Sequence, residues 1–563
     1  MCKTGLFLVV FSVLASAQET PSTTDTSKLA SIEGVVVNEL TKEPIRKVEI
    51  SLRKQGKTGA VAGSAAYSAI TDAAGKFRVE SIDPGEYMLT QRKTGFIVSR
   101  SNYGFSARLL KLGAGQALTG LRYTLLPQGI VSGRVVDDEG EPVQNISVAL
   151  MRNSYYRGSS RVFSTGRPQP TNDRGEFRFT DVQPGRYFLQ ADVQRMNAMT
   201  GGAAPASPAA PGAPRTAFVA TFYPNASEIA QATRIEVQAG QELAGRDIAL
   251  RKEKVVRVTG KVVNASGSPA KQAFVTVRHV DSLMDSGSVS FSPLDENGHF
   301  VANNVPPGQY KVSAMRGDSS DWQSGETSVD VGDNGADNVV VQIQPALEAK
   351  GAFVLEGTDR KDFDFSGKQV SLQSAGEGTF GFAFGQSKAD GTFSISQLTP
   401  GHYTLDVYTA GSDDGYVKAI FAGTEDVFGK EVDANAIAAA GLKIVIRLDS
   451  ASLTGTVEIP DERKAFLRSP SVVLLPVDAQ LRKANLRNIG QLNQDNGFSL
   501  KNLRPGDYIA FAFEEFDFAS LQDPEVFAAI ESKGTAVSLA ANESKNLSLK
   551  ILPWPEQFAD RIQ

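Results

Sequence analysis

The sequence predicts an all-β protein, a tandem array of five antiparallel β-sandwich modules behind an N-terminal signal peptide. Three observations carry this. A turn-plus-strand signature recurs five times with a fixed internal spacing. A glycine followed by a β-branched run precedes each copy at a nearly constant distance. Between these landmarks the apolar residues alternate with period two, and helical periodicity is scarce.

The chain opens with Lys3, an apolar run from Gly5 to Leu14 and the small-residue step Ala15-Ser16-Ala17, the pattern of a cleavable secretory signal at 1–17. Residues 18–28, rich in Thr and Ser, read as a linker. No later stretch is apolar enough to predict a transmembrane segment in the mature chain. The only cysteine, Cys2, lies inside the signal, so the exported chain must rely on its cores and not on disulfides. The expected location is outside the cytoplasm: periplasm, cell surface or extracellular medium.

The signature appears as Gly75, Phe77, Pro84, Gly85 and Tyr87, then as Gly175, Phe177, Pro184, Gly185 and Tyr187. It returns as Gly298, Phe300, Pro307, Gly308 and Tyr310, and as Gly391, Phe393, Pro400, Gly401 and Tyr403. The last copy is Phe498, Pro505, Gly506 and Tyr508, with Gly497 moved next to the phenylalanine. Phe and Pro stand seven apart in every copy. The preceding landmark glycines are Gly34, Gly133, Gly260, Gly351 and Gly455, at distances of 43, 44, 40, 42 and 43 residues from the signature phenylalanine.

Each piece has a local reading. Asp72 or Asn172 three residues before glycine predicts a tight turn with the glycine left-handed. Pro-Gly suits the centre of a type II turn. The tyrosine two residues on is expected to bury its ring and return its hydroxyl to the backbone. Lys388 replaces the turn aspartate in the fourth copy, so copies four and five are expected to diverge in turn geometry. Ala434–Ala440 and Asp523–Ser532 are expected as short helices in loops. The modules are placed at 29–127, 128–253, 254–346, 347–449 and 450–554, with a Pro/Ala/Gly-rich insert at 201–214 in the second.

Together the Gly-x-Val-Val strand, the Asp-x-x-Gly-x-Phe turn and the Pro-Gly-x-Tyr step resemble the carboxypeptidase regulatory-like domain. The resemblance implies a transthyretin-like (prealbumin-like, Ig-like) sandwich, related to carbohydrate-binding-like domains and collagen-adhesin repeats. It does not imply peptidase activity, because in metallocarboxypeptidases that domain only accompanies the zinc enzyme.

The residues themselves point away from catalysis. The three histidines, His279, His299 and His402, lack the spacing of zinc ligands. No Gly-x-Ser-x-Gly elbow is present, and Gly56-Lys57-Thr58 lacks the first glycine of a P-loop. Asp295 and Asp330 to Asn334 offer oxygen ligands without an EF-hand's spacing, and turn formation explains them. No cofactor is expected. A formal net charge of −5 on 563 residues argues against nucleic acid as a partner.

A binding role therefore remains, with polysaccharide or an envelope protein as partner. Carbohydrate is what the resemblance implies; a structural adhesion stalk that binds proteins is the alternative. Sugar faces stack on exposed aromatic rings. The candidates are Tyr155, Tyr156 and Arg157 in a Gly/Ser/Arg-rich stretch, Trp322, and, less favoured, Tyr67 and the run Phe380, Phe382, Phe384. That run alternates as a core strand would, and so do Phe511 and Phe513.

Overall fold

The computed structural model describes residues 29–54, 66–98, 109–156, 159–193, 215–280, 290–317, 322–358, 360, 362–375, 382–408, 415–460, 470–484, 488–493, 495–517, 520–555 and 557–558. The expected signal peptide, the linker at 18–28, the insert at 201–214, Arg157 and Phe380 lie outside them.

The described chain is a succession of small β-sheets. Two compact units divide it. One is drawn from Pro44–Gln91 with the flanking segments that end at Val36 and begin at Ala107. In it, strands Lys76–Ile82, Ala30–Asn38 and Ala117–Pro127 lie side by side, and Tyr67–Ile70, Glu49–Lys54, Gly85–Arg92 and Leu109–Leu112 form a second sheet.

The other unit repeats this scheme. Separate hydrophobic clusters draw on residues 131–250, 258–343, 349–446 and 451–551. Each is lined by alternate residues of the strands around it, as a sandwich of pleated sheets requires. The strand ladders are mostly antiparallel, and one parallel pairing recurs. The closing strand runs parallel to the first strand: Ala336–Gln342 beside Val256–Val263, Leu442–Arg447 beside Leu347–Leu355, and Ser544–Leu552 beside Ala451–Glu458.

The two sequence landmarks prove to be cross-strand partners. Gly34 faces Phe77, Gly133 faces Phe177, Gly260 faces Phe300, Gly351 faces Phe393 and Gly455 faces Phe498. The glycine is needed for space. A Cβ on Gly351 would stand 2.2 Å from the Phe393 ring, and one on Gly455 would stand 1.8 Å from the Leu547 carbonyl oxygen.

The signature strand carries a bulge at the same place in all five copies. One residue of the first strand opposes two of the signature strand, as with Ser31 against Glu80 and Ser81 between the pairs Ala30–Ile82 and Ile32–Val79. The residue three before the proline adopts left-handed φ: Ser81, Asp181, Asn304, Gln397 and Asn502, at 57° to 61°. All five are polar, and Asn and Asp tolerate that region best.

This bulge overturns the expected type II turn. The Pro-Gly glycine opens the next strand, or in the fourth copy directly precedes it, with φ between 140° and 157°, and does not sit at a turn centre. The bulge has already redirected the chain. Glycine is still required, because that φ disfavours a side chain and because Lys54, Arg152 and His279 pass within 2.9–3.4 Å of where a Cβ would be in the first three copies.

The turn before the signature strand is built as expected. The Asp72 carboxylate accepts from the amides of Ala74 and Lys76 at 2.9 and 2.8 Å, and Gly75 is left-handed at 69°. Asn172 and Asp295 repeat this. The expected divergence of copies four and five is not seen. In the fifth, Asn493 accepts from Asp495 and Gly497, and Asn496 takes the left-handed position at 58° in place of glycine. In the fourth, the Lys388 backbone closes the turn while Asp390 accepts from the Thr392 amide.

The signature tyrosines are buried. Tyr87, Tyr187 and Tyr508 donate to the carbonyls of Asp83, Gln183 and Arg504 at 2.8, 2.7 and 2.6 Å. Tyr403 pairs with the Thr399 hydroxyl at 2.6 Å instead. Burial raises the pKa of all five tyrosines, that of Tyr508 to about 12.

Helices form at Ala434–Ala440 and Pro524–Ile530, each N-capped by an aspartate, Asp433 and Asp523. A third helix forms at Ala479–Lys483, N-capped by Asp478. Pro524–Ile530 changes the reading of Phe511 and Phe513. Tyr508, Ala510 and Ala512 face the sandwich core, while Ile509, Phe511 and Phe513 face outward and are buried under Val526, Phe527, Ile530, Trp554 and Phe558. The sheet is therefore covered on both sides.

Candidate binding surface

The largest exposed aromatic feature among the described residues lies on strand Phe382–Gln386. Phe382 is 62% and Phe384 57% exposed, with ring centroids 5.9 Å apart and planes tilted by 37°. The alternation is real, but its phase is the reverse of a core strand. Ala383 and Gly385 point inward, because the signature strand passes too close for anything larger. A Cβ on Gly385 would stand 2.6 Å from the Ser394 carbonyl oxygen and 2.8 Å from Ile395. A strand with small residues fixed on the inner face must present its large ones to solvent.

The register places polar side chains beside the rings. The sheet runs Phe382–Gln386, Gln369–Ser374, His402–Tyr408, Glu431–Asp433. Phe384 stands opposite Ser371, which stands opposite Asp406; Phe382 leads to Gln373 and Thr404; Gln386 leads to Gln369 and Tyr408. Directly opposed residues share a face. The face thus carries two exposed rings and the exposed Gln386, with Gln373, Thr404 and Gln369 half-buried beside them and Ser371 and Asp406 buried.

The candidates from sequence fall elsewhere. Tyr155 and Tyr156 end strand Ser147–Tyr156 and pair with Ser160 and Ser159, so they belong to a hairpin and not to a loop. Tyr155 is half-buried. Trp322 is half-buried just before strand Gln323–Val331, and its carbonyl accepts from the Ala346 amide at 2.8 Å. Tyr67 packs edge-on against Tyr87 at 5.8 Å and bonds Asp83 at 2.9 Å, which makes it part of the first core's rim.

The ionisable groups weighed for metal binding have structural partners. Asp295 holds its own turn, and the amide of His299 lowers its pKa. Asp333 pairs with Lys254 at 2.8 Å. His279 packs edge-on against Tyr310 at 5.1 Å. Among the described residues, no three His, Cys, Asp or Glu side chains converge as a metal site would require, and no helix is long and apolar enough to cross a membrane.

Among solved structures, the chain is similar to a streptococcal ancillary pilin at 13% identity, covering 56% of this chain and 99% of that one, with a TM-score of 0.18. It is similar to the minor pilin GBS52 of Streptococcus agalactiae at 14% identity, covering 40% and 97%, with a TM-score of 0.20. The Bacillus anthracis TIE protein is similar at 9% identity over 90% of this chain and 74% of that one, with a TM-score of 0.14. None of the curated proteins matches. The match that corresponds to the landmarks above is to a domain family: residues 31–119 and 257–344 of this chain each match the carboxypeptidase regulatory-like domain.

Proposed function

We propose that this chain is an exported, non-catalytic binding scaffold of five sandwich modules, and that its fourth module holds carbohydrate on Phe382 and Phe384. The exposed ring pair carries the reading. Two phenylalanines more than half in water are unfavourable for a soluble module unless something covers them. Rings flanked by Gln373, Gln386 and Gln369 suit a ligand with apolar faces and hydroxyl edges. Tandem modules suit weak sites, since one chain raises the effective concentration of each. Tyr155, Tyr156 and Trp322 are secondary candidates for further contacts.

Retention on immobilised polysaccharides tests this. The Phe382→Ser/Phe384→Ser variant is expected to lose at least about tenfold in affinity, since each aromatic contact contributes about 1 kcal/mol. Unchanged retention removes the platform, and no retention by the unaltered protein removes carbohydrate.

A stalk that binds an envelope protein is the second reading, and one observation favours it. Strand Phe382–Gln386 pairs on one side only, with Gln369–Ser374, among the described residues. Such an edge can accept a partner's strand. A backbone-directed partner would survive the double substitution better than a sugar would.

A further inference from the structure

We infer that the fourth and fifth modules are docked into one rigid body, pinned by Arg504, the residue before the fifth signature proline. The inference rests on their contacts and not on the carbohydrate reading.

Arg504 belongs to the fifth core's bulged strand end but reaches into the fourth module. Its guanidinium donates to the Lys418 carbonyl at 2.8 Å and lies 5.4 Å from the Phe428 ring centroid. Its own carbonyl accepts from Tyr508, so the tyrosine corner holds the backbone from which the pin projects. A second element enters alongside. Helix Ala479–Lys483 packs Leu481 and Ala484 onto the fourth core, and Gln480 donates to the Phe428 carbonyl at 3.0 Å. The helix is fastened to its own module by Arg482, which donates to the carbonyls of Pro476 and Val477 and lies 3.9 Å from the centroid of Phe527. Gly429 permits the approach: a Cβ there would stand 2.8 Å from the Gln480 carbonyl oxygen.

The covalent link is short and tied down. Strand Leu442–Arg447 ends and Ala451–Glu458 begins with only Leu448 to Ser450 between. Leu448 packs on the fourth core, Asp449 is paired with Arg447 through two bonds, and its carbonyl accepts from the Asn542 amide at 3.1 Å. Linked sandwiches ordinarily move relative to one another unless an apolar interface joins them. Here the half-buried Leu481 and Ala484, a cation over a ring and a three-residue tether act together. The pin's partners are a carbonyl and a ring, so salt screens it far less than it would an exposed ion pair. The equivalent residue of the second copy, Gln183, also reaches upstream, donating to the Val98 carbonyl at 3.2 Å.

Spin labels at Ser396→Cys and Ser548→Cys, both exposed, in a Cys2→Ser background of the full chain read the joint directly. One narrow distance distribution, unchanged between low and high salt, is expected. Arg504→Ala should replace it with a broad one while the Trp554 emission stays native. A broad distribution in the unaltered protein, or a narrow one in Arg504→Ala, overturns the inference. Should Arg504→Ala fail to fold, Leu481→Asp, which alters only the docking helix, reads the same distance, and a narrow distribution there overturns it equally.

Discussion

Gly455→Ala tests the physical basis of the repeat. The added Cβ would lie 1.8 Å from the Leu547 carbonyl oxygen, 2.8 Å from the Leu547 carbonyl carbon and 2.8 Å from the Phe498 ring. The first two atoms are backbone in the parallel strand Ser544–Leu552, paired to Ala451–Glu458 along seven registered positions. They cannot yield without opening the ladder. Overpacking costs about 1–3 kcal/mol where side chains can shift, and immovable backbone puts this site at or above about 3 kcal/mol. Gly490 in the same module is the internal control. A Cβ there meets only the tip of Leu500 at 3.2 and 3.3 Å and the Ser499 carbonyl oxygen at 3.6 Å, and its cost should stay below about 1 kcal/mol. The chain has two tryptophans. With Trp322→Phe, the emission of Trp554, buried against Phe513, reports the fifth module alone. With urea m-values of about 1–3 kcal/mol/M for small domains, Gly455→Ala should lower the midpoint by about 1–3 M. A midpoint equal to that of Gly490→Ala would refute the claim that glycine is there for space.

Other outcomes follow from the same geometry. Tyr508→Phe leaves the Arg504 carbonyl without its partner and should cost about 1–2 kcal/mol in the same urea titration. Because burial raises the Tyr508 pKa to about 12, its protonated form is favoured in the fold. That stability is complete below about pH 10, the unfolded value, and is lost between there and about pH 12, so Trp554 should report alkaline unfolding that Tyr508→Phe weakens. Asp295 has the opposite sign: its lowered pKa, owed first to the His299 amide, stabilises the third module above the ordinary carboxylate range and ceases to do so as pH falls below it. The protection of the His299 amide, relative to its intrinsic exchange rate, should therefore fall in acid, and Asp295→Asn should flatten that response. Asn496→Gly should be nearly neutral and Asn493→Ala should cost about 1 kcal/mol, since only the second removes the side chain that holds the turn.

The repeat was legible because it is local chemistry under a spacing constraint. Glycine and phenylalanine stand about forty residues apart in sequence and face each other across one ladder, so no copy can change that spacing freely. The bulge was legible too, though easily missed. Inward residues follow Phe393 at Ile395 and then Leu398, so the period of two skips one position just where Gln397 turns left-handed. A Pro-Gly pair read alone points to a turn, because nothing local says the chain has already been bent. Asn496 likewise substitutes for glycine by a property of its side chain that a search for Gly cannot register.

The sequence by itself determined the architecture: alternation, turn chemistry and two landmarks recur, and period-two strands have few ways to bury one face. Tertiary structure decided which face each aromatic takes. Phe382-Ala383-Phe384 and Phe511-Ala512-Phe513 have one pattern and opposite fates, the first left in water and the second buried beneath a helix. Alternation fixes that neighbours diverge. Only the close passage of the Ser394 carbonyl beneath Gly385, and the arrival of Val526 and Phe527 above Phe511, fix which side is inside.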